Sequence, residues 1–215
     1  MKIPKVLFCV GLCAGMVGCQ TLYYDTMEKF GVHKREILVD RVEEAKESQE
    51  EAKEQFADAF EAFVSATEVD LGELKETYDR LNGVFKESEK RANDVRERIE
   101  GVKSVAAALF KEWEEELALY TSESLKQASE EQLQGTRRLY SKLIEVMDTA
   151  EARMQPVLGS YRDQVLFLKH NLNAQAIAAL NETSLEIKDE VEALIREMEA
   201  SIEEANAFVE ALRAS

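Results

Sequence analysis

Residues 74–113 read LKETYDRLNGVFKESEKRANDVRERIEGVKSVAAALFKEW. Within this stretch Leu74, Tyr78, Leu81, Phe85, Ser88, Ala92, Val95, Ile99, Val102, Ala106, Leu109 and Trp113 recur at alternating steps of four and three. Such a series keeps one stripe of a helix apolar, because 3.5 residues is close to one helical turn. A strand would need alternation every second residue, and none is present. Gly83 and Gly101 lie inside the series, and each costs about 1 kcal/mol relative to Ala. A seam of this length outweighs both, so they read as bends or points of close backbone approach.

The same period extends in both directions. Upstream, Leu38, Val42, Ala45, Gln49, Ala52, Phe56, Ala59, Phe63 and Ala66 form a heptad seam. One row of it is alanine (45, 52, 59, 66), which lets a neighbouring helix approach closely, and phenylalanines fill the other row. Gln49 is the polar member, and a polar residue in a seam commonly fixes register. Thr67-Glu68-Val69 reads as a turn, and Asp70 with Glu73 has capping-box spacing. Downstream, Thr121–Ser124 interrupts the pattern, and Ser124 with Gln127 suggests a second capping box. Leu125, Ser129, Leu133, Thr136, Tyr140, Leu143, Met147, Ala150, Met154 and Val157 follow. Pro156 removes one helical hydrogen bond. The seam resumes with Tyr161, Val165, Leu168 and Leu172, which favours a kink over a stop. Asn171-Leu172-Asn173 is the preferred next turn, with Thr183–Glu186 as a rival helix start. A shifted series then runs through Leu180, Ser184, Ile187, Val191, Leu194 and Met198, continued loosely by Ile202, Ala205, Phe208 and Leu212.

The expected fold is all-α: an elongated antiparallel helical bundle or coiled coil of about four long helices, roughly 24–66, 70–120, 124–170 and 175–212, in one domain over 19–215. Similar lengths and short turns favour up-down-up-down order. A looser pair of coiled-coil hairpins completed by a second chain is the alternative.

Composition narrows function. The 215 residues carry 27 Lys+Arg against 43 Asp+Glu, a formal charge of −16. That balance excludes a nucleic-acid binder working through a basic face. Nine Gly and two Pro argue against a turn-rich all-β chain. The N-terminus is an address. Lys2 and Lys5 precede an uncharged apolar run over 6–17, and Gly18-Cys19 follows. Residues 1–18 thus read as a secretory signal peptide, too short to span a bilayer as a helix. Met16-Val17-Gly18-Cys19 resembles the bacterial lipobox, which makes Cys19 the lipidation site, with Met16 standing where Leu is usual. Cys9, Cys13 and Cys19 are all of the cysteines, so the mature chain holds no disulfide within itself. By resemblance to lipoprotein sorting, Gln20 after the cysteine implies the inner leaflet of the outer membrane, facing the periplasm of a Gram-negative bacterium.

Several runs together carry a family likeness: Tyr23-Tyr24, Gly31 to Val42, Leu109 to Trp113, and Val165 to Ala174. They resemble the bacterial lipoproteins grouped as domain of unknown function 2959 (DUF2959). The resemblance spans essentially the whole mature chain. It implies an exported, lipidated, helical protein and brings no activity, substrate or catalytic residue.

Candidate sites are sparse. Tyr23 and Tyr24 follow the anchor closely and suit a bilayer interface, or plain helix packing. His33-Lys34-Arg35 is the basic cluster nearest Cys19, able to touch anionic headgroups or to pair with Glu36 and Asp40. Lys169, His170, Asn171 and Asn173 gather at the expected third turn, as a partner-binding tip or as self-satisfied turn chemistry. Trp113 lies on the seam and reads as core. Glu43-Glu44, Glu50-Glu51 and Glu114–Glu116 lack calcium-loop spacing and read as solvated faces. No nucleotide-binding glycine loop, metal-ligand spacing or nucleophile–base constellation stands out, so no catalytic residue, metal or cofactor is expected.

Three functions compete. The favoured one is a lipid-anchored, non-enzymatic structural or interaction protein of the cell envelope, meeting an unidentified envelope protein. The second is a carrier of lipid or another apolar ligand, with Phe56, Phe60, Phe63, Phe85, Phe110 and Trp113 lining the bundle. An envelope hydrolase comes last. Homo-oligomerisation is compatible with all three, because alanine-rich seams serve a second chain as well as an internal helix.

Overall fold

A computed structural model describes residues 33–68, 71–171 and 173–214. They form four long helices: α1 (Lys34–Ser65), α2 (Leu74–Leu117), α3 (Glu123–His170) and α4 (Ala174–Ala214). At 1.5 Å per residue they are about 48 to 72 Å long. Helix α1 packs on α2 and α4, and α3 packs on the same two. Cross-helix partners run in opposite order along each adjacent pair. Glu44 meets Arg98 and Glu51 meets Arg91 between α1 and α2. Lys103 meets Asp148 and Arg162 meets Glu89 between α2 and α3. Ser160 meets Glu190 and Lys142 meets Glu204 between α3 and α4. Lys46 meets Asn206 and Lys53 meets Glu199 between α4 and α1. Every neighbouring pair is therefore antiparallel, and the chain closes into an up-down-up-down bundle without needing a second copy.

The seams supply the core. On α1, Leu38, Val42, Ala45, Ala52, Phe56, Ala59 and Phe63 are buried, with Gln49 among them. On α2 the buried row includes Leu74, Leu81, Ala92, Val95, Ile99, Val102, Ala106 and Leu109. On α3 it runs from Leu133 through Met147 and Met154 to Leu168. Tyr161 marks where the diagonal helices α1 and α3 meet. Its ring stacks on Phe63 at 4.6 Å between centroids, and its hydroxyl donates to the Phe56 carbonyl oxygen at 2.9 Å.

Local expectations need five corrections. Helix α2 begins at Leu74, after a 3-10 turn over Leu71–Glu73, so Glu73 is its N-cap and makes no side-chain capping bond. Asp70 lies outside the described residues. Helix α3 begins at Glu123 with Ser122 as N-cap. The Ser124–Gln127 capping box does not form, because Ser124 lies inside the helix; the Gln127 amide donates to Glu131 at 3.1 Å. Leu125, placed on a seam by its spacing, is 60% exposed. On α4 the buried row is Met198, Ser201, Ala205, Phe208 and Leu212, so Ser201 takes the position expected of Ile202. The strict three-then-four step overrides side-chain polarity there. Finally, neither glycine of α2 marks a close approach: a Cβ at Gly83 would meet nothing within 4 Å, and at Gly101 only the Arg41 Cδ at 3.8 Å. Helix α3 continues through Pro156, and the chain turns at 171–173, not at Thr183.

Candidate functional site

The antiparallel order sorts the candidate residues to opposite ends of the rod. At one end α1 begins, α2 ends, α3 begins and α4 ends. His33 is exposed there and serves as backbone N-cap, its carbonyl accepting from Glu36 N at 2.9 Å and Ile37 N at 3.2 Å. Lys34 is only 4% exposed and pairs with Glu112 of α2 at 3.1 Å. Arg35 donates from Nη2 to the Leu212 carbonyl oxygen of α4 at 2.7 Å. Such a contact suits a helix C-terminus, where carbonyls lack helical partners and a cation opposes the dipole. Two of the three basic residues are thus spent on fastening α1 to α2 and α4. Lys34 has almost no surface to offer a headgroup, which corrects its expected role, and its pair with Glu112 reaches across to α2. Cys19, Tyr23 and Tyr24 lie outside the described residues.

At the opposite end sits the turn between α3 and α4. Lys169 and His170 are exposed in the last turn of α3, where positive charge complements the helix dipole. Asn171 donates from Nδ2 to the Phe167 carbonyl at 2.9 Å, and Asn173 accepts the Gln175 backbone N–H at 2.9 Å through Oδ1. Both asparagine side chains thereby satisfy chain ends, one closing α3 and one opening α4. Leu166 and Phe167 are exposed beside them, at 49% and 37%. The sequence reading did not single them out as features of the tip.

The aromatic residues of the carrier reading are spent on packing. Phe56, Phe63 and Tyr161 stack, and Phe110 meets Tyr140 edge-on at 5.4 Å. Half-buried Trp113 donates its indole N–H to Ser129 at 2.8 Å. A groove of about 600 Å³ lies between α1 and α2, and its lining is charged, with Arg41, Glu44, Glu51, Arg91 and Arg98 among its residues. Among the described residues no group of three or more His, Cys, Asp or Glu is placed to hold a metal ion. No helix among them is long and apolar enough to cross a membrane.

Burial pushes the Tyr161 hydroxyl well above the ordinary tyrosine range, and the Glu190 carboxylate adds to the shift. Burial also raises Tyr140. Lys103 is raised by its hydrogen bond to Glu100, against desolvation and with further help from Asp148. The two tyrosine shifts thus follow from burial, and that of Lys103 from its carboxylate partners.

The fold defines an antiparallel four-helix bundle of the elongated kind, built from heptad seams. A protein-family profile described as "Protein of unknown function (DUF2959)" matches residues 23–212. The chain belongs to that family. Among curated proteins and among solved structures, no match was found.

Proposed function

We propose that the mature chain is a non-enzymatic structural or interaction protein of the bacterial envelope, lipid-anchored through Cys19 at the periplasmic face of the outer membrane. The observation that carries this reading is the completeness of the core. Four seams consume their apolar rows against one another, and the large aromatics fill each other's space. What is left for recognition is the outer faces and the two ends. A rod tethered by one end holds its other end, at 169–173, some tens of Å away from the anchor. The aromatic stacking weighs against an apolar ligand inside the bundle; lipid recovered by mass spectrometry from protein purified without detergent would reverse that judgement.

Two experiments test the proposal. Cys19→Ala should abolish palmitate incorporation and move the protein from the membrane to the soluble envelope fraction; unchanged fractionation would refute the anchor. Photo-crosslinking in cells from His33, Glu115 and His170 should capture one reproducible envelope protein, and the position that captures it identifies the end in use. Self-crosslinks alone would count against a scaffold for a different protein.

A further inference from the structure

We propose that the 118–122 loop and the first turns of α3 form a foot that rests on a zwitterionic lipid surface; this builds on the Cys19 anchor proposed above. Leu119 is 78% exposed, Leu125 60% and Tyr120 43%, all within seven residues. Their position in the fold gives the exposure a direction. The Lys34–Glu112 and Arg35–Leu212 contacts fix the level at which α1 begins and α4 ends. The Lys142–Glu204 pair puts the end of α4 level with about residue 132 of α3, so α3 runs on to Glu123 for about 14 Å by helical rise. The foot, where α2 ends and α3 begins, therefore projects past the described ends of α1 and α4, on the side from which the chain leads back to Cys19.

Its chemistry suits a headgroup boundary. Leucines bury apolar surface there, and tyrosine offers an apolar body with a polar tip. Exposed carboxylates of Glu114, Glu115, Glu116 and Glu123 surround it. Glu114 pairs with Arg137 at 2.8 Å and Glu115 with Lys111 at 3.9 Å. This acidic collar opposes an anionic surface and leaves a zwitterionic one as the match. The 13 residues from Gln20 to Val32 reach at most about 45 Å. A tether of that length makes contact intramolecular, so weak affinity suffices, yet it is long enough that the contact itself must hold the foot down.

The mature chain has no cysteine besides Cys19, so Thr121→Cys places one polarity-sensitive fluorophore in the loop without altering its apolar residues. Glu61→Cys places a control on α1 near the opposite end. The lipidated full chain is reconstituted in phosphatidylethanolamine–phosphatidylcholine vesicles bearing lipid-borne nitroxide. The expected result is a blue shift and nitroxide quenching at 121, neither at 61, and less quenching when phosphatidylglycerol is added. The L119E/L125E variant should lose the quenching while keeping its helical circular dichroism. Flotation with the vesicles without quenching at 121 overturns the foot and leaves the anchor standing. A blue shift without quenching means that protein covers the patch, either the chain's own N-terminal segment or a second copy, and also overturns it. Failure to float removes the anchor reading and the foot with it.

Discussion

Tyr161 leads the fully buried side chains by size, and it spans the bundle from α3 to the backbone of α1. Tyr161→Phe removes one buried hydrogen bond and keeps the stacked ring, so it should cost about 1 kcal/mol in urea denaturation followed by circular dichroism. The phenol also sets a pH limit. Its folded value is raised above the ordinary tyrosine value near 10, so the folded state holds that proton more tightly than the unfolded chain. The resulting stability is whole below pH 10 and falls as pH rises beyond it. Lys103 and Tyr140 are raised too and act in the same alkaline window. Thermal midpoints should therefore decline above about pH 10, and less steeply in Tyr161→Phe. An equal decline in both proteins would show that Tyr161 is not the sensitive group. Gln49 presents the opposite case. Its amide oxygen and nitrogen are both buried with no protein partner, as is the Ser201 hydroxyl. Gln49→Leu should stabilise the fold by about 1–3 kcal/mol, the usual cost of an unsatisfied buried polar group. A loss of stability would show that the amide is hydrated inside the bundle, or that it holds the register against alternatives.

Within α2, Gly83 is exposed and a Cβ there meets nothing. Gly83→Ala should add about 0.5–1 kcal/mol, read as a higher urea midpoint; no gain would point to a bend that helical propensity cannot describe. Single elements also show how far the sequence could be read. The α1 and α2 seams were legible because burial there obeys local period alone. Ser201 was not, since its burial follows from the step count and Ile202 is the more apolar neighbour. Leu125 was misplaced because the seam spacing continues in α3 where its neighbour α4 has already ended. The capping boxes failed because a 3-10 turn precedes α2 and because α3 starts two residues before Ser124 could cap it. The inward turn of Lys34 was out of reach for the same kind of reason: Glu112 is far along the chain, and only the packed register brings it close. The turn after His170 was legible because turn chemistry is local, whereas the apolar foot at 119–125 depends on which helices run past their neighbours.

Over the whole molecule, ion pairs stitch every adjacent helix pair, yet most are solvent-exposed and each is worth about 0–1 kcal/mol. Against them stands a formal charge of −16. Repulsion among the excess carboxylates should win, so raising sodium chloride from low to physiological ionic strength should raise the thermal midpoint. A falling midpoint would mean that the cross-helix pairs, such as Arg96 with Glu151 at 2.6 Å and Arg213 with Glu43 at 2.8 Å, outweigh the net charge. The antiparallel order also has a mechanical consequence. The described chain enters at His33 and leaves at Ala214 on the same end, while the 171–173 turn lies at the other. A pull between that turn and the start of α1 at Lys34 loads long helix–helix seams in shear, so many contacts must slip together. A pull between the two chain ends instead peels α1 from α4 one turn at a time. The molecule is thus built to bear tension applied at its far tip, and it yields most readily to a load applied at its C-terminus.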